Sequence, residues 1–175
     1  YDRPNTSMSE FRMCGDCLTE YSSPEDRRFH AQPNACSVCG PRLQYQDADG
    51  SRLSDGDQAL KAAAAAILDG AIVAVKGIGG FHLMVNARPN QAVIRLRERK
   101  HRSEKPFALM YPHLTSVEVD CLVTDPEHRL LVSSEAPVVL MHRSDHASIA
   151  DEVAPGNPML GVMMPNTPLH HLLLR

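Results

Sequence analysis

Four cysteines in the first forty residues fall into two Cys-x-x-Cys pairs. Cys14 and Cys17 form the first pair, Cys36 and Cys39 form the second, and eighteen residues separate the two pairs. Two thiolates from one tight turn can face a single ion, and two such turns supply the tetrahedral sulfur set that Zn²⁺ prefers. Because four protein ligands leave no open coordination position, the pattern predicts a structural zinc site.

Alternatives to a zinc site are a set of reduced surface thiols or a redox-active pair in either Cys-x-x-Cys. His30 lies between the two pairs, and with four sulfurs already available we interpret it as a loop residue. Cys121 has no partner at metal-ligand spacing and sits among apolar residues. Such surroundings are typical of a buried, inert thiol.

A glycine-rich loop is the second place where chemistry is expected. It follows a predicted buried strand at residues 71–75 and contains Gly77, Gly79 and Gly80, with Lys76 at its start. Glycines allow a ligand to approach the backbone closely, and successive N–H groups of such a loop can bind an anion. The loop matches neither the P-loop nor the dinucleotide-binding pattern, and an ordinary turn is the alternative.

Residues 95–106 concentrate positive charge. They hold six Lys or Arg against two Glu, a balance of +4, in a chain whose formal charge is −3. Lys100, Arg102 and Lys105 fall where a helix is expected to fray before Pro106, so their side chains can converge on a triphosphate. A solvated helix end is one alternative. Nucleic acid is the other, although the segment lacks stacking aromatic residues.

Capping and periodicity signals predict alternating helices and strands after residue 54. Helices are expected over residues 55–68 with Asp55 or Asp57 as the cap, and from caps at Asn90, Asp125 and Thr167, the last two each followed by proline. Strands are expected at residues 71–75, 106–110, 137–141 and 160–164. This alternation indicates an α/β or mixed-sheet domain.

Composition restricts the class of protein. Hydrophobic residues make up 43% of the 175-residue chain, aromatic residues make up 5%, and tryptophan is absent, so an aliphatic core is expected. No run approaches the roughly 18 apolar residues that span a bilayer, and the N-terminal residues do not resemble a signal peptide. We therefore expect a cytoplasmic protein that does not interact with membranes.

Taken in order, these motifs resemble the HypF family of carbamoyltransferases, which mature the active site of nickel-iron hydrogenases. The resemblance is carried by the two cysteine pairs with Gly40-Pro41, by residues 27–33 between them, and by segments 76–83 and 99–106. It implies a small four-cysteine zinc finger followed by a YrdC-like twisted mixed sheet with flanking helices.

Three divisions of the chain follow from the resemblance: a linker at residues 1–10, a zinc-finger domain at residues 11–50 and a YrdC-like adenylating domain at residues 55–175. The last is expected to be incomplete, because in the family a further strand and a Ser-Gly-Asn-x-Ser type loop contact the nucleotide. The chain is accordingly expected to be an excerpt that binds ATP weakly or not at all by itself.

The implied reaction is the adenylation of carbamate, derived from carbamoyl phosphate, by ATP with Mg²⁺. Its product, carbamoyl-AMP, passes its carbamoyl group to a HypE-type partner protein. Lys100, Arg102 and Pro106, spaced KxRxxxP, resemble the lysine-arginine-proline motif of related threonylcarbamoyl-AMP synthases, and the residues implied in catalysis are Lys76, Lys100 and Arg102. Further contacts to nucleotide or carbamate are expected from Gly79, Gly80, Phe81, His82, Lys105, Pro106 and Thr167.

Three points stay open at the level of the sequence. Thr167 can cap its helix instead of contacting the nucleotide, and the following His170 and His171 are expected to be exposed. The finger and the basic helix together could bind double-stranded RNA. Both parts could also form a non-catalytic scaffold between domains.

Overall fold

The computed structural model describes residues 2–77 and 79–175 and divides them into two compact units. We call residues 2–59 the finger unit and Leu60–Arg175 the sheet unit. Tyr1 of the predicted linker and Ile78 of the predicted glycine-rich loop lie outside the described residues.

The finger unit contains little regular structure. Two short 3-10 turns, Arg3–Asn5 and Ser7–Glu10, precede helix α1 (Gly15–Ser22). Turns then lead to an antiparallel hairpin of β1 (Gln44–Gln46) and β2 (Arg52–Asp55). Among residues 2–59, Cys17 and Ala59 are the only buried apolar residues. Since so little apolar surface is buried, a cross-link is needed to hold this unit together.

Helix α2 (Gly56–Leu68) leads to a second hairpin. Gly70 follows the end of the helix with a φ of +82°, a conformation that favours glycine. Strands β3 (Val73–Lys76) and β4 (Phe81–Met84) then pair antiparallel around the glycine-rich loop. A strand forms here as predicted, but the prediction that it is buried is wrong, because only Val75 of β3 is buried. The hairpin forms a two-stranded sheet of its own.

A four-stranded mixed sheet forms the centre of the sheet unit. Its strands are β5 (Ala108–Met110), β6 (Cys121–Leu122), β7 (Val139–Arg143) and β8 (Met159–Met163), in the order β5-β8-β7-β6. β5 and β8 are parallel, and the other two pairings are antiparallel. The helices are α3 (Asn90–Lys100), α4 (Leu114–Asp120), α5 (Asp125–Leu131) and α6 (Pro168–Leu173). The predicted mixed α/β architecture is confirmed.

The core of the sheet unit is aliphatic, as composition predicted. Val117, Met141, Leu160 and Val162 are fully buried, and Tyr111 is the one aromatic residue in the buried cluster. Asp120 is also fully buried and accepts hydrogen bonds from the Tyr111 hydroxyl and the Ser148 amide. In residues 2–77 and 79–175, no helix combines the length and the hydropathy that crossing a bilayer requires.

The start of α5 differs from the prediction. The cap is Thr124 instead of Asp125, because Glu127 completes a capping box by accepting hydrogen bonds from the Thr124 amide and hydroxyl. Pro126 is then the second helical residue.

Candidate functional site

The four cysteines of the two Cys-x-x-Cys pairs converge in the finger unit. Their sulfur atoms all lie within 4.8 Å of one another. Cys36 Sγ is 3.7 Å from Cys14 Sγ and 3.8 Å from Cys39 Sγ, far beyond the roughly 2.05 Å of a disulfide bond. Helix α1 positions the first pair, since Cys14 precedes it and Cys17 lies in its first turn. The four thiols therefore form one cluster.

This cluster fits a tetrahedral zinc ion. Zn–S bonds of about 2.3 Å place the sulfur atoms of a tetrahedron about 3.8 Å apart, and the two short separations around Cys36 match that value. His30 is not a member of the cluster; its ring packs against the rings of Tyr21 and Phe29. The interpretation of His30 as a loop residue therefore agrees with the geometry.

Backbone amides favour the thiolate form of the second pair. The Val38 amide donates to Cys36 Sγ at 3.3 Å and lowers the pKa of that thiol. The amide of Cys36, followed by that of Cys14, lowers the pKa of Cys39 to about 6. Thiolates are the metal-binding form of cysteine, so this turn is preorganised to ligate a cation.

A buried arginine attaches the N-terminal residues to the finger. Arg3 is 6% exposed, and its guanidinium donates to the carbonyls of Phe11 and Asn34 at 2.8 and 2.9 Å, and to that of Gln32. Asn34 in turn donates its side-chain amide to the Cys17 carbonyl at 2.9 Å. Residues assigned to a linker thus support the backbone around a cysteine.

Gly40 provides a test of the second cysteine turn. Its amide donates to the Cys36 carbonyl at 2.7 Å, and an added Cβ would lie 2.8 Å from that oxygen. We expect Gly40→Ala to lower Zn²⁺ affinity about 10- to 100-fold, because the ligand turn must open. Competition with a chromogenic chelator measures the affinity.

Gly15 is the matched control for this substitution, because it also follows a cysteine and an added Cβ there would meet no atom within 4 Å. Gly15→Ala should therefore keep the parental affinity. Equal affinities of the Gly40→Ala and Gly15→Ala proteins would contradict the role of the turn.

The basic segment of the sheet unit ends helix α3 in an ordered cap. His101 adopts a left-handed conformation with a φ of +48° and donates its amide to the Glu98 carbonyl. Arg102 donates its amide to the Arg97 carbonyl at 3.1 Å. These two bonds form a Schellman motif, with histidine where glycine is usual. The predicted fraying is therefore wrong: the chain leaves the helix in one defined direction.

Arg97 organises the loop that follows this cap. Its side chain is 7% exposed and donates to the carbonyls of Arg102, Ser103 and Lys105 at 2.9 to 3.3 Å. It also donates to the carbonyls of Glu152 and Val153 on a neighbouring 3-10 turn. One buried guanidinium therefore joins the basic loop to the body of the sheet unit.

Other basic residues of the segment differ in their exposure and in their hydrogen bonds. Arg102 is half-buried, donates to the carbonyls of Lys105 and Pro106 at 2.9 and 2.6 Å, and lies 5.0 Å from the Phe107 ring centroid. Lys100 and Lys105 are exposed. Two lysine ammonium groups are therefore accessible to an anion, whereas much of the Arg102 guanidinium is engaged within its own loop.

A groove of about 360 Å³ lies beside this loop. Arg97, His101, Arg102 and Ser103 contribute to its lining, together with the carboxylates of Glu98 and Glu152. Lys100 and Lys105 do not line it. The groove is therefore electrostatically mixed, and the exposed lysines form the strongly positive surface.

The glycine-rich loop closes the β3–β4 hairpin. The Gly77 amide donates to the Gly80 carbonyl at 2.7 Å, so that N–H group is not free for a ligand. Lys76 is exposed, and its Nζ lies 5.3 Å from the centroid of the Phe81 ring, its cross-strand neighbour. The loop therefore presents a cation above an exposed aromatic ring.

Segment 165–171 meets this hairpin through two histidine rings. His82 on β4 and His170 on α6 have ring centroids 5.0 Å apart. Thr167 caps α6, with its hydroxyl accepting from the His170 amide at 3.2 Å, so its capping role is confirmed. The expectation that His170 is exposed is wrong, because it is 1% exposed, whereas His171 is exposed.

The contacts thus bring together two of the predicted site segments, the glycine-rich loop and the α6 segment. Cys121 is 2% exposed, and burial raises the pKa of its thiol to about 11, which agrees with an unreactive cysteine.

Comparison with known proteins identifies two family segments. Residues 65–175 match the Sua5/YciO/YrdC family model, whose description is telomere recombination. Residues 13–45 match the HypF finger model. The second match encloses all four clustered cysteines.

Two relatives match nearly the whole chain. The carbamoyltransferase HypF of Rhodobacter capsulatus is 49% identical over 99% of this chain, which spans 23% of that protein. A crystal structure of full-length HypF in the phosphate- and nucleotide-bound form is 44% identical over 99% of the chain, 22% of that protein, with a TM-score of 0.82. The chain therefore spans about a quarter of the length of these relatives.

A more distant structure supports the fold alone. Sua5 of P. abyssi, solved with L-threonine, is 20% identical, covers 70% of the chain and 36% of its own length, and has a TM-score of 0.58. Residues 65–175 thus make the chain a member of the Sua5/YciO/YrdC family, and the preceding finger gives it the arrangement of the HypF carbamoyltransferases.

Proposed function

We propose that this chain is the finger and carbamate-adenylating portion of a HypF-type carbamoyltransferase. The finger domain comprises residues 11–50 and holds one Zn²⁺, and the adenylating domain comprises residues 55–175. Two observations support the proposal. Arg97 holds the loop at residues 100–106 in place by hydrogen bonds to its carbonyls, and the chain aligns with a HypF structure solved with nucleotide bound. The cytoplasmic location stays a prediction.

The proposed reaction joins carbamate to AMP. A carbamate oxygen attacks the α-phosphorus of ATP, the bond between the α-phosphorus and the bridging oxygen breaks, and pyrophosphate leaves with Mg²⁺. Such a step needs chiefly positioning and neutralisation of charge. Carbamate derives from carbamoyl phosphate, and the carbamoyl group passes on to a HypE-type partner.

Exposure and hydrogen bonding suggest separate roles for the charged residues. Lys100 and Lys105 are exposed and can contact the phosphates, whereas Arg102 shapes the loop between them and Pro106. Lys76, above Phe81, is placed to attract the carbamate to the Gly79-Gly80 backbone. The zinc ion supplies a cross-link that fixes the finger and takes no part in the chemistry.

The nucleic-acid alternative is less well supported by the arrangement of the basic residues. Arg97 is buried, and Arg95 donates to the Gly70 carbonyl. Arg102 donates to two carbonyls of its own loop, so three of the six cations counted in the sequence are engaged in intramolecular contacts.

Lys100→Ala tests the proposed adenylation. In the full-length polypeptide that carries this chain, we expect it to lower carbamate-dependent exchange of labelled pyrophosphate into ATP about a hundredfold, because a phosphate-neutralising charge is lost. Arg99→Ala removes the adjacent exposed cation and should leave the exchange near its parental rate. An unchanged rate in Lys100→Ala, or no carbamate-dependent exchange in the parent, would overturn the proposal.

A further inference from the structure

The loop that follows helix α3 directs its carbonyl groups inward. Arg97, which is 7% exposed, donates from Nη1 to the carbonyls of Arg102 and Ser103 at 2.9 and 3.3 Å. The Lys105 carbonyl accepts from the same nitrogen at 3.3 Å and from Arg102 Nε at 2.9 Å. One buried guanidinium therefore fixes the orientation of two consecutive peptide groups, 102–103 and 103–104.

The orientation of these peptide groups determines where their N–H groups point. Both groups are trans, and in a trans peptide the N–H is directed opposite to the C=O. Because the carbonyls of Arg102 and Ser103 point toward Arg97, the amides of Ser103 and Glu104 point away from it. Neither amide donates a hydrogen bond to any of residues 2–77 and 79–175, and both residues are exposed. Two successive donors are therefore available to a ligand from solution.

The charges around these two amides favour an anion. Lys100 and Lys105 are exposed and flank the two residues in the sequence. Arg102 makes its hydrogen bonds within the loop through Nε and Nη2, which leaves Nη1 available. Glu104 makes no ion pair with any residue that the structure describes, so its exposed carboxylate can turn into solvent. Successive backbone N–H groups bordered by cations have the character of an anion-binding site.

We propose that the Ser103 and Glu104 amides bind the departing pyrophosphate of ATP, and that Arg97 is the positioning residue that turns them outward. The inference rests on the proposed function and adds main-chain donors to the exposed lysines. A lysine ammonium is a point charge on a flexible stem, whereas a backbone N–H in an anchored loop has a fixed direction. The two amides therefore orient the leaving phosphates, and the lysines supply most of the attraction.

Proline substitution removes one of these donors. Glu104→Pro deletes the N–H group together with the carboxylate, and Glu104→Ala is the matched control because it deletes the carboxylate alone. Binding of magnesium pyrophosphate to the full-length polypeptide is measured by calorimetry. We expect Glu104→Ala to bind with at least the parental affinity and Glu104→Pro to bind about 10- to 100-fold more weakly. Equal affinities of the two variants, or no binding by the parent, would overturn the inference.

Amide hydrogen exchange tests the same donors without a substitution. In the parent, quench-flow exchange with mass spectrometry should show fast exchange of the Ser103 and Glu104 amides without ligand, because neither is hydrogen-bonded. Saturating pyrophosphate should slow both amides, and sodium sulfate at equal ionic strength should not. Fast exchange in the pyrophosphate complex, or equal protection by sulfate, would contradict a site for pyrophosphate.

Arg97→Lys tests the positioning role. Lysine keeps the positive charge but cannot reproduce the planar fork of donors, so pyrophosphate should no longer protect the two amides. Slow exchange around Leu160 in the same sample shows that the sheet unit is folded. Arg99→Lys, at an exposed position of the same helix, should keep the parental protection. Parental protection in a folded Arg97→Lys protein would overturn the role of Arg97.

The anion site and the proposed adenylation can fail separately. Carbamate-dependent exchange in a parent whose Glu104→Pro and Glu104→Ala variants bind pyrophosphate equally would remove the site and leave the adenylation intact. Weaker binding by Glu104→Pro alone, in a polypeptide without carbamate-dependent exchange, would do the reverse.

Discussion

Replacing Arg97 by methionine should destabilise the sheet unit by about 3–5 kcal/mol, a large part of the stability of a domain this size. The buried guanidinium donates to backbone carbonyls of two separate segments and lies 3.8 Å from a Glu152 carboxylate oxygen. Methionine fills much of the volume but leaves those carbonyls unpaired. Urea denaturation followed by circular dichroism measures the loss.

The control is Arg99→Met, which removes an exposed arginine from the same helix and should change stability by less than about 0.5 kcal/mol. Arg97→Lys is a further comparison, because one ammonium cannot reproduce a planar fork of donors. Equal stabilities of the Arg97→Met and Arg99→Met proteins would show that the loop is held by other contacts.

Removing the metal should unfold the finger unit and leave the sheet unit folded. The finger buries almost no apolar surface, whereas a structural zinc ion contributes about 10–16 kcal/mol in zinc-finger peptides. After treatment with a chelator, amide hydrogen exchange should become fast around Asn34 and stay slow around Leu160. Slow exchange around Asn34 without metal would contradict a metal-dependent finger.

Two cysteine substitutions make this test specific. Cys36→Ser removes the sulfur that has two close neighbours in the cluster. The parent should contain one zinc ion per chain, and this variant should contain none. Cys121→Ser alters a buried thiol of the sheet unit and should leave the zinc content unchanged. Elemental analysis of both proteins provides the measurement.

Local signals predicted local structure well. Thr167 followed by Pro168 marked the start of α6, and the apolar runs marked β7 and β8 to within two residues. The prediction did not include α4 or the short strands β1, β2, β4 and β6. Those strands are two to four residues long and largely exposed, so they lack the apolar runs from which strands were inferred.

The candidate site was predictable where spacing alone carries the chemistry. The spacing of the cysteines was enough to predict a metal site, because each Cys-x-x-Cys turn already brings two sulfurs together. The role of Arg97 could not be predicted in this way, because one of the carbonyls to which it donates is 55 residues away in the sequence. One signal was available: Val93, Leu96 and Arg97 lie at positions i, i+3 and i+4, so Arg97 falls on the buried stripe of α3. The burial of His170 depends on packing with His82, a residue distant in sequence.

The parallel pairing of β5 with β8 affects the order of events during synthesis. β5 ends at Met110, and its partner strand is not made until residues 159–163 leave the ribosome. Glu152 and Val153, the distant hydrogen-bond partners of Arg97, also emerge late. Contacts between residues far apart in sequence slow folding, so the nascent chain exposes its cationic loop before the sheet can close. This interval is when the chain is most vulnerable to proteases and to binding polyanions.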